Sequence, residues 1–420
     1  MKKLIYTLAL ALILNSAFYI QNSNAQWVTS YSGIGATYSV YSIASSGTNL
    51  VAGTYSKGVY TSTNNGQNWT QSAFNNKSVK CLAVSGSTVY AGTNDLLSPA
   101  GVWVSNTNGL TWTQTSMNNR VVNALLVNGT SIFAGVNDNG IWVSSNGGTN
   151  WTKTTFPDIS VKALAISGSY IFAGTVSSMV GYKGVWVSTN NGSSWTSFTA
   201  TADKDVYSLA VNGSSVFAGT SSNGVIYSNN SGTNWTQSAL NNKSINSVVV
   251  YSGNVFAGTF AEGVYLSTNN GVSWIPKNQG WVSTSLPTVY TVNVLNNYVF
   301  AGTDFLPLYR RVYSESIGIR NISSEIPSAY SLSQNFPNPF NPTTVIHFGI
   351  PNTSVGQTFL FVDLKVFDIT GREVQTLVNE QLAPGTYEAT FDGTNLPSGT
   401  YFYKLTSSTF SQTKRLTLLK

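Results

Sequence analysis

The reactive residue types are scarce, and their scarcity decides much of the chemistry. Among 420 residues there is one cysteine, Cys81, and one histidine, His347. A single thiol builds neither an intramolecular disulfide framework nor a cysteine zinc site. A single imidazole excludes His-cluster metal centres, and His347 lies in a strand-like run away from the chain's repeats, so no Ser-His-Asp triad is expected there. No P-loop, dinucleotide fingerprint or EF-hand occurs, and no cofactor is expected. Carboxylates remain. Asp138, Asp203, Asp205 and Glu262 are the sensible suppliers of the acid pair, about 5–9.5 Å apart, that glycoside hydrolysis requires. A second set suits binding rather than reaction. Tyr41, Lys80, Asn123, Lys162, Tyr207, Asn246 and Tyr290 each follow the first residue of a strand in seven successive units, a column that would ring the mouth of a central channel. The next column, Ser42, Cys81, Ala124, Ala163, Ser208, Ser247 and Thr291, is small, which suits a crowded axis and makes Cys81 a packing residue.

The elements that must position these residues are repeats. Ala-Gly recurs at Gly53, Gly92, Gly135, Gly174, Gly219, Gly258 and Gly302, with spacings of 39, 43, 39, 45, 39 and 44. A period of about 40–45 with strand-like patterning is that of a β-propeller blade. In the second unit, Val79 to Val84 reads as strand A, Thr88 to Thr93 as B, Gly101 to Ser105 as C, and Trp112 begins D. The C–D turn has a frame of its own: Asn64, Gly66 and Trp69 recur as Asn146/Gly148/Trp151, Asn190/Gly192/Trp195, Asn230/Gly232/Trp235 and Asn269/Gly271/Trp274. The second unit carries Thr107 in place of Asn. Asn bonds the turn backbone, Gly supplies positive φ, and Trp packs the hairpin. Because these Trp residues recur in register, they are read as core rather than as sugar platforms. The seventh unit lacks strand D. Gln26 to Ser30 mirrors the strand D of other units, so seven blades closed by the N-terminal strand are expected over residues 26–312.

The turn frame resembles the Asp-box, or BNR, repeat of sialidase-like propellers, with Asn in place of the usual Asp. In that family the box is a structural turn away from the active site, so the resemblance carries the fold. It also invites a comparison of chemistry. Sialidases need an arginine triad, a Tyr/Glu nucleophile pair and an Asp acid. Here the repeats hold only Arg120, Arg310 and Arg311, the last two adjacent on an outer strand, and the Arg-Ile-Pro motif is missing. Related propellers that cleave plant glucans use two acidic residues in a cleft between two propellers, whereas this chain has one. A further resemblance is to propellers that assist photosystem assembly, whose functional arginine patch is not seen here.

Charge is sparse, at 9% of residues against 13% aromatic and 42% hydrophobic, and aromatic richness argues against disorder. Residues 26–312 hold 12 basic and 7 acidic residues. The acids Asp95, Asp138, Asp158, Asp203, Asp205, Glu262 and Asp304 all fall on the end carrying the B–C and D–A loops. The opposite end is built of Ser, Asn, Gly and Thr. The longest B–C loops are Asn94 to Ala100 and Val176 to Lys183, the latter with Tyr182. Trp281 stands outside the Trp register and is read as an exposed contact. Interleaved signs on an exported chain argue against nucleic acid.

Both ends of the chain are addresses. Met1-Lys2-Lys3, the apolar run Leu4 to Ile13 and Ser23-Asn24-Ala25 form a signal peptide over 1–25, and no later stretch is long enough to span a membrane. Residues 313–330 read as a linker. From 331 to 420, strand-like runs at Val345 to Phe348, Phe359 to Asp368, Arg372 to Leu377, Gly385 to Phe391, Gly399 to Leu405 and Thr413 to Leu419 predict a small β-sandwich. Asn338-Pro339-Phe340-Asn341-Pro342, Gly371-Arg372, Pro397, Gly399, Tyr401 and the terminal Lys414-Arg415-Leu416 make this tail resemble the C-terminal sorting domain of type IX secretion cargo, which is related to an Ig-like domain of flagellar hook-capping proteins. That resemblance implies the type IX machinery as a partner, with the cargo released or attached at the surface of a Gram-negative cell. The expectation is therefore an all-β, monomeric, non-enzymatic protein, secreted or surface-held, that binds a glycan or a protein with the loop-rich end. The alternatives are a glycoside hydrolase using loop carboxylates and a passive scaffold.

Overall fold

The computed structural model describes residues 26–94, 100–176, 183–282, 285–304, 308–313, 319–323, 326–352, 360–382, 384–394, 396–407 and 410–420. The signal-peptide reading of 1–25 lies outside these residues. Seven antiparallel four-stranded sheets follow one another along the chain. Blade 1 is Val40–Ser46 (A), Asn49–Thr54 (B), Gly58–Ser62 (C) and Thr70–Gln71 (D). Strands A of blades 2 to 7 are Val79–Ser85, Val122–Asn128, Ser160–Ser167, Val206–Asn212, Ile245–Tyr251 and Val289–Leu295. Strand B is buried along nearly its whole length in each blade, because a neighbouring blade covers each face.

The Ala-Gly repeat has a steric cause. The glycine faces the small residue of its own strand A, as in Ser42↔Gly53 and Cys81↔Gly92. On the other side sits the first strand-A residue of the next blade. A Cβ on Gly174 would lie 2.6 Å from Val206 Cγ1, and one on Gly92 would lie 2.7 Å from Val122 Cγ1. Gly302 of blade 7 meets Val40 of blade 1 in the same way, so the contact runs round the ring.

The C–D turns are equally repetitive. Ser62 Oγ accepts Gly66 N–H at 3.0 Å and Asn64 Oδ1 accepts Asn68 N–H at 3.0 Å. The serine bond recurs at 2.8–2.9 Å for Gly109, Gly148, Gly192, Gly232 and Gly271. Asn146, Asn190, Asn230 and Asn269 accept a backbone N–H four residues on, at 2.8–2.9 Å. The glycine φ values run from +73° at Gly66 to +92° at Gly232, with Gly148 at +90° and Gly271 at +81°, and the preceding residue is also left-handed. All six of these glycines also press on the preceding blade of the ring. A Cβ on Gly148 would lie 2.7 Å from Thr115 Cγ2, and one on Gly271 would lie 3.1 Å from Phe217 Cε1.

The reading of the turn tryptophans as core is corrected. Only Trp69 is buried, at 4% exposure, whereas Trp112, Trp151, Trp195, Trp235 and Trp274 are half-buried. Each of these five packs one face on an apolar cluster, Trp151 near Val122 and Ile132, Trp195 on Phe156, Trp235 on Phe198 and Trp274 near Val225 and Leu240. The physical reason is that strand D is the outermost of its sheet and only two residues long, so the ring beside it keeps part of its surface exposed. Trp69 is the exception because the N-terminal segment lies over it, Ser32 O accepting its backbone N–H at 2.7 Å. The indole N–H groups of Trp195 and Trp274 donate to the turn carbonyls of Gly192 and Gly271 at 3.1 Å, while those of Trp151 and Trp235 are buried without an acceptor.

Blade 7 consists of Val289–Leu295, Tyr298–Thr303 and Leu308–Val312, and its fourth strand is Val28–Thr29. Val28 pairs with Arg310 and Thr29 with Tyr309. Trp27 is buried beside this joint, its backbone N–H donating to Gln279 O at 2.9 Å. Ser30 O accepts Trp69 Nε1–H at 2.7 Å, which ties the clasp to blade 1. The chain leaves the ring through buried Tyr313, whose hydroxyl accepts from Asn254 Nδ2 at 2.8 Å.

The tail is a sandwich of two four-stranded sheets: Ile319–Ser323, Gly385–Asp392, Thr343–Ile350 and Ser331–Leu332 on one side, and Glu373–Leu382, Leu360–Phe367, Gly399–Ser407 and Phe410–Leu418 on the other. Ile346, Phe348 and Phe391 from the first sheet bury against Val362, Leu364 and Tyr403 from the second. A second expectation is corrected here. Part of the segment read as linker is a strand, Ile319–Ser323, because its backbone pairs with Gly385–Asp392 some seventy residues later (Ile319↔Ala389). Within the Pro-rich motif, Phe340 is buried against Phe391 at 5.6 Å and Asn338 Oδ1 accepts Thr417 N–H at 3.0 Å, while Phe336 is 81% exposed. Pro342 O accepts Gly393 N–H at 2.8 Å. Gly371 adopts φ +82° in a turn where Arg372 Nε donates to Asp368 Oδ2 at 3.0 Å, and Tyr401 OH donates to Pro397 O at 2.8 Å.

Candidate functional site

In every blade, strands A and B lose register at the start of strand A, after its first residue or, in blade 4, its second. The pairing jumps from Val40↔Thr54 to Ser42↔Gly53, and likewise at Val79/Cys81, Val122/Ala124, Val161/Ala163, Val206/Ser208, Ile245/Ser247 and Val289/Thr291. Each jump is a β-bulge, and a bulge re-aims the side chain of its extra residue. The extra residues are Tyr41, Lys80, Asn123, Lys162, Tyr207, Asn246 and Tyr290. All seven line one open cavity of about 410 Å³ at the mouth of the channel. The residues just before them, Val40, Val79, Val122, Val161, Val206, Ile245 and Val289, are fully buried.

The ring has two halves. Blades 2 to 4 supply Lys80, Asn123 and Lys162. Asn123 Nδ2 is buried and makes no hydrogen bond. Burial first, and the Lys162 ammonium second, push the pKa of Lys80 below the usual lysine value. Burial also lowers that of Lys162, with Asp138 opposing the shift. Blades 5 to 7 and 1 supply Tyr207, Asn246, Tyr290 and Tyr41. Tyr41 and Tyr290 meet edge to face at 4.8 Å and 89°. Burial, then the neighbouring phenols Tyr290 and Tyr55, push the Tyr41 pKa up to about 12. Asn246 Nδ2 donates to Val289 O at 3.1 Å. Lys80 Nζ lies 3.7 Å from the Tyr41 ring centroid and joins the halves by a cation–π contact.

The other candidate residues lie elsewhere. Asp203 pairs with Lys204 at 3.2 Å and its side chain is 76% exposed. Asp205 pairs with Lys183 at 3.2 Å. Glu262 pairs with Lys243 and accepts from Tyr265 OH at 3.2 Å. Asp138 accepts from Ser160 Oγ at 2.6 Å and Asn137 Nδ2 at 2.8 Å. None of these carboxylates lines the cavity. Tyr182 lies outside the described residues. Trp281, read as an exposed contact, is instead packed into the clasp: it stacks on Trp27 at 4.7 Å and 18° and meets Tyr309 edge-on at 4.6 Å. Sequence reasoning missed Tyr55, which is exposed and approaches Tyr41 at 5.9 Å. Its signal was the place after Ala-Gly-Thr, where blade 6 carries the exposed Phe260. Among the described residues, no group of three His, Cys, Asp or Glu side chains could hold a metal ion, and no helix is long and apolar enough to cross a membrane.

Comparison with known proteins bears on both parts of the chain. Residues 334–418 match the model of the secretion system C-terminal sorting domain. The chain is a type IX-exported propeller protein. It is secreted or held at the cell surface. Residues 21–170 match the DUF6242 beta propeller domain. Among solved structures the chain is similar to YCF48 from Cyanidioschyzon merolae, at 14% identity and TM-score 0.55 over 69% of this chain and 99% of that one. YCF48 bound to D1 peptide superposes at 14% identity and TM-score 0.53, over 70% and 96%. The computationally designed Ika8 protein matches at 14% and 0.50, over 67% and 98%. At these identities the likeness is one of fold. No curated protein matches the chain.

Proposed function

We propose that this exported propeller is a binding protein and that the channel mouth holds its ligand, a glycan or a protein segment. One observation carries the reading: seven bulges aim seven side chains into a single open cavity, and all seven are polar or aromatic. A bulge interrupts the sheet's hydrogen bonding, and a cavity of this size falls in the range of about 300–1,000 Å³ common for ligand sites. Hydrolysis finds no support at the mouth, because among the described residues the lining holds no carboxylate, and Asp138, Asp203, Asp205 and Glu262 are engaged by lysines or by hydroxyl and amide donors. A propeller of similar fold has been solved with a bound peptide, so peptides belong in the test beside sugars. The test is a glycan array and a peptide array probed with the full chain and with Tyr41→Ala/Tyr290→Ala. The expected result is a defined ligand set lost in the variant at unchanged melting temperature. Ligands retained by the variant would remove the mouth from the reading, and released sugar would replace binding with hydrolysis.

A further inference from the structure

We infer that the mouth selects an acidic sugar, an oxyanion carried on a pyranose ring, with the oxyanion seated on the Lys80–Asn123–Lys162 arc and the ring against the Tyr207–Tyr290–Tyr41 arc. The inference rests on the proposed binding role of the mouth and specifies its ligand class.

Three facts lead to it. The first is sidedness. Consecutive blades 2, 3 and 4 offer an ammonium, an amide and an ammonium, while blades 5, 7 and 1 offer phenol rings. An oxyanion has several acceptor lone pairs and no donor, which complements the first arc. A pyranose presents C–H bonds on its face and hydroxyls at its edge, which suits phenols on a wall. The second is uncompensated charge. Among the described residues no carboxylate lines the cavity, and Asp138, the acid felt by Lys162, is already held by Ser160 and Asn137. Lys80 sits over the ring of Tyr41, a neutral partner, and among the described residues no carboxylate faces it at the cavity wall. Burial disfavours the charged form of both lysines, and the Lys162 ammonium adds to this at Lys80, so an anion placed between them is favoured. The third is the orphaned donor. Asn123 Nδ2, buried between the two lysines in blade order, lacks an acceptor, and a buried polar group left unpaired is destabilising. An oxyanion supplies that acceptor. The cavity, at about 410 Å³, takes a terminal or single sugar rather than a polymer laid along its length.

The experiment is calorimetric titration of the full chain with a galacturonic acid trisaccharide, a sulfated galactose, neutral galactotriose and an acidic peptide. The expected result is binding of a carboxylated or a sulfated sugar, the two arms telling the sources apart, with the neutral sugar at least about tenfold weaker. Lys80→Met and Lys162→Met should each weaken binding by about tenfold at unchanged melting temperature, and Lys162→Arg should retain most of it. Failure of every acidic saccharide to bind overturns the inference. So does equal binding of neutral sugar, or binding of the peptide alone; in those two cases the loss of affinity in Tyr41→Ala/Tyr290→Ala would show that the mouth still binds and only its ligand class is wrong.

Discussion

Lys277 shows how a single side chain sets a cost that the ring must absorb. Its ammonium is buried beside Arg311, and burial first, then that like charge, lowers its pKa to about 8. Keeping it protonated at pH 7 costs the folded state about 3 kcal/mol. The unfolded chain holds this proton up to about 10.5. Between those values the unfolded state binds more protons, so stability rises with pH. The rise ends near pH 10, where the unfolded chain's tyrosines ionise while Tyr41 and Tyr403 resist up to about 12. Thermal unfolding should therefore show a higher midpoint at pH 9 than at pH 7. Lys277→Met should raise the midpoint at pH 7 and flatten the profile, since its backbone bond to Val264 O at 2.8 Å does not depend on the side chain. A flat profile in the unaltered protein would contradict the assignment.

Blades are joined by contacts that leave no room for a methyl group. Gly174→Ala would drive a Cβ to 2.6 Å from Val206 Cγ1, and overpacking of this kind costs about 1–3 kcal/mol. The turn serine is a comparable point. Ser188 Oγ accepts the buried Gly192 N–H at 2.8 Å, so Ser188→Ala should cost about 1–3 kcal/mol by orphaning that donor. Denaturant titration reads both, and a loss below about 0.5 kcal/mol in each would refute these steric and polar accounts. These elements explain what was legible in the sequence. Glycine at the blade contact and Ser, Asn, Gly and Trp in the turn are dictated locally, so they recur in register and can be counted. How deeply each turn tryptophan is buried is not local, because it depends on what lies over strand D, and only Trp69 has a cover. The ring column could be found because each member follows a fully buried Val or Ile. The bulge that turns it inward could not, because alternation along strand A says nothing of register with strand B. Trp281 failed for a related reason: its partner, Trp27, is some 250 residues away in sequence, and no local pattern announces a stack with it. The strand at Ile319–Ser323 was hidden in the same way by a distant partner.

At the scale of the whole molecule, closure depends on very few residues. Val28–Thr29 completes blade 7, Trp27 fills the joint with Trp281 and Tyr309, and Ser30 O receives Trp69 of blade 1. Removal of residues 26–30 should lower the melting temperature by several degrees and promote self-association, because the strand bearing Tyr309 and Arg310 becomes an open edge. Scanning calorimetry and size-exclusion chromatography check this, and an unchanged monomer would show that the clasp is dispensable. The same clasp makes the two ends of the ring hydrogen-bonded neighbours. The propeller thus has no obligatory first blade. Joining residue 312 to residue 26 through a short bridge and opening a new start at another D–A loop would give a permuted chain with the same seven-fold mouth. In such a chain the sorting tail could be attached at a different angular position around the ring, and the direction in which the mouth faces when the protein is held at the cell surface would become a matter of where the circle is cut.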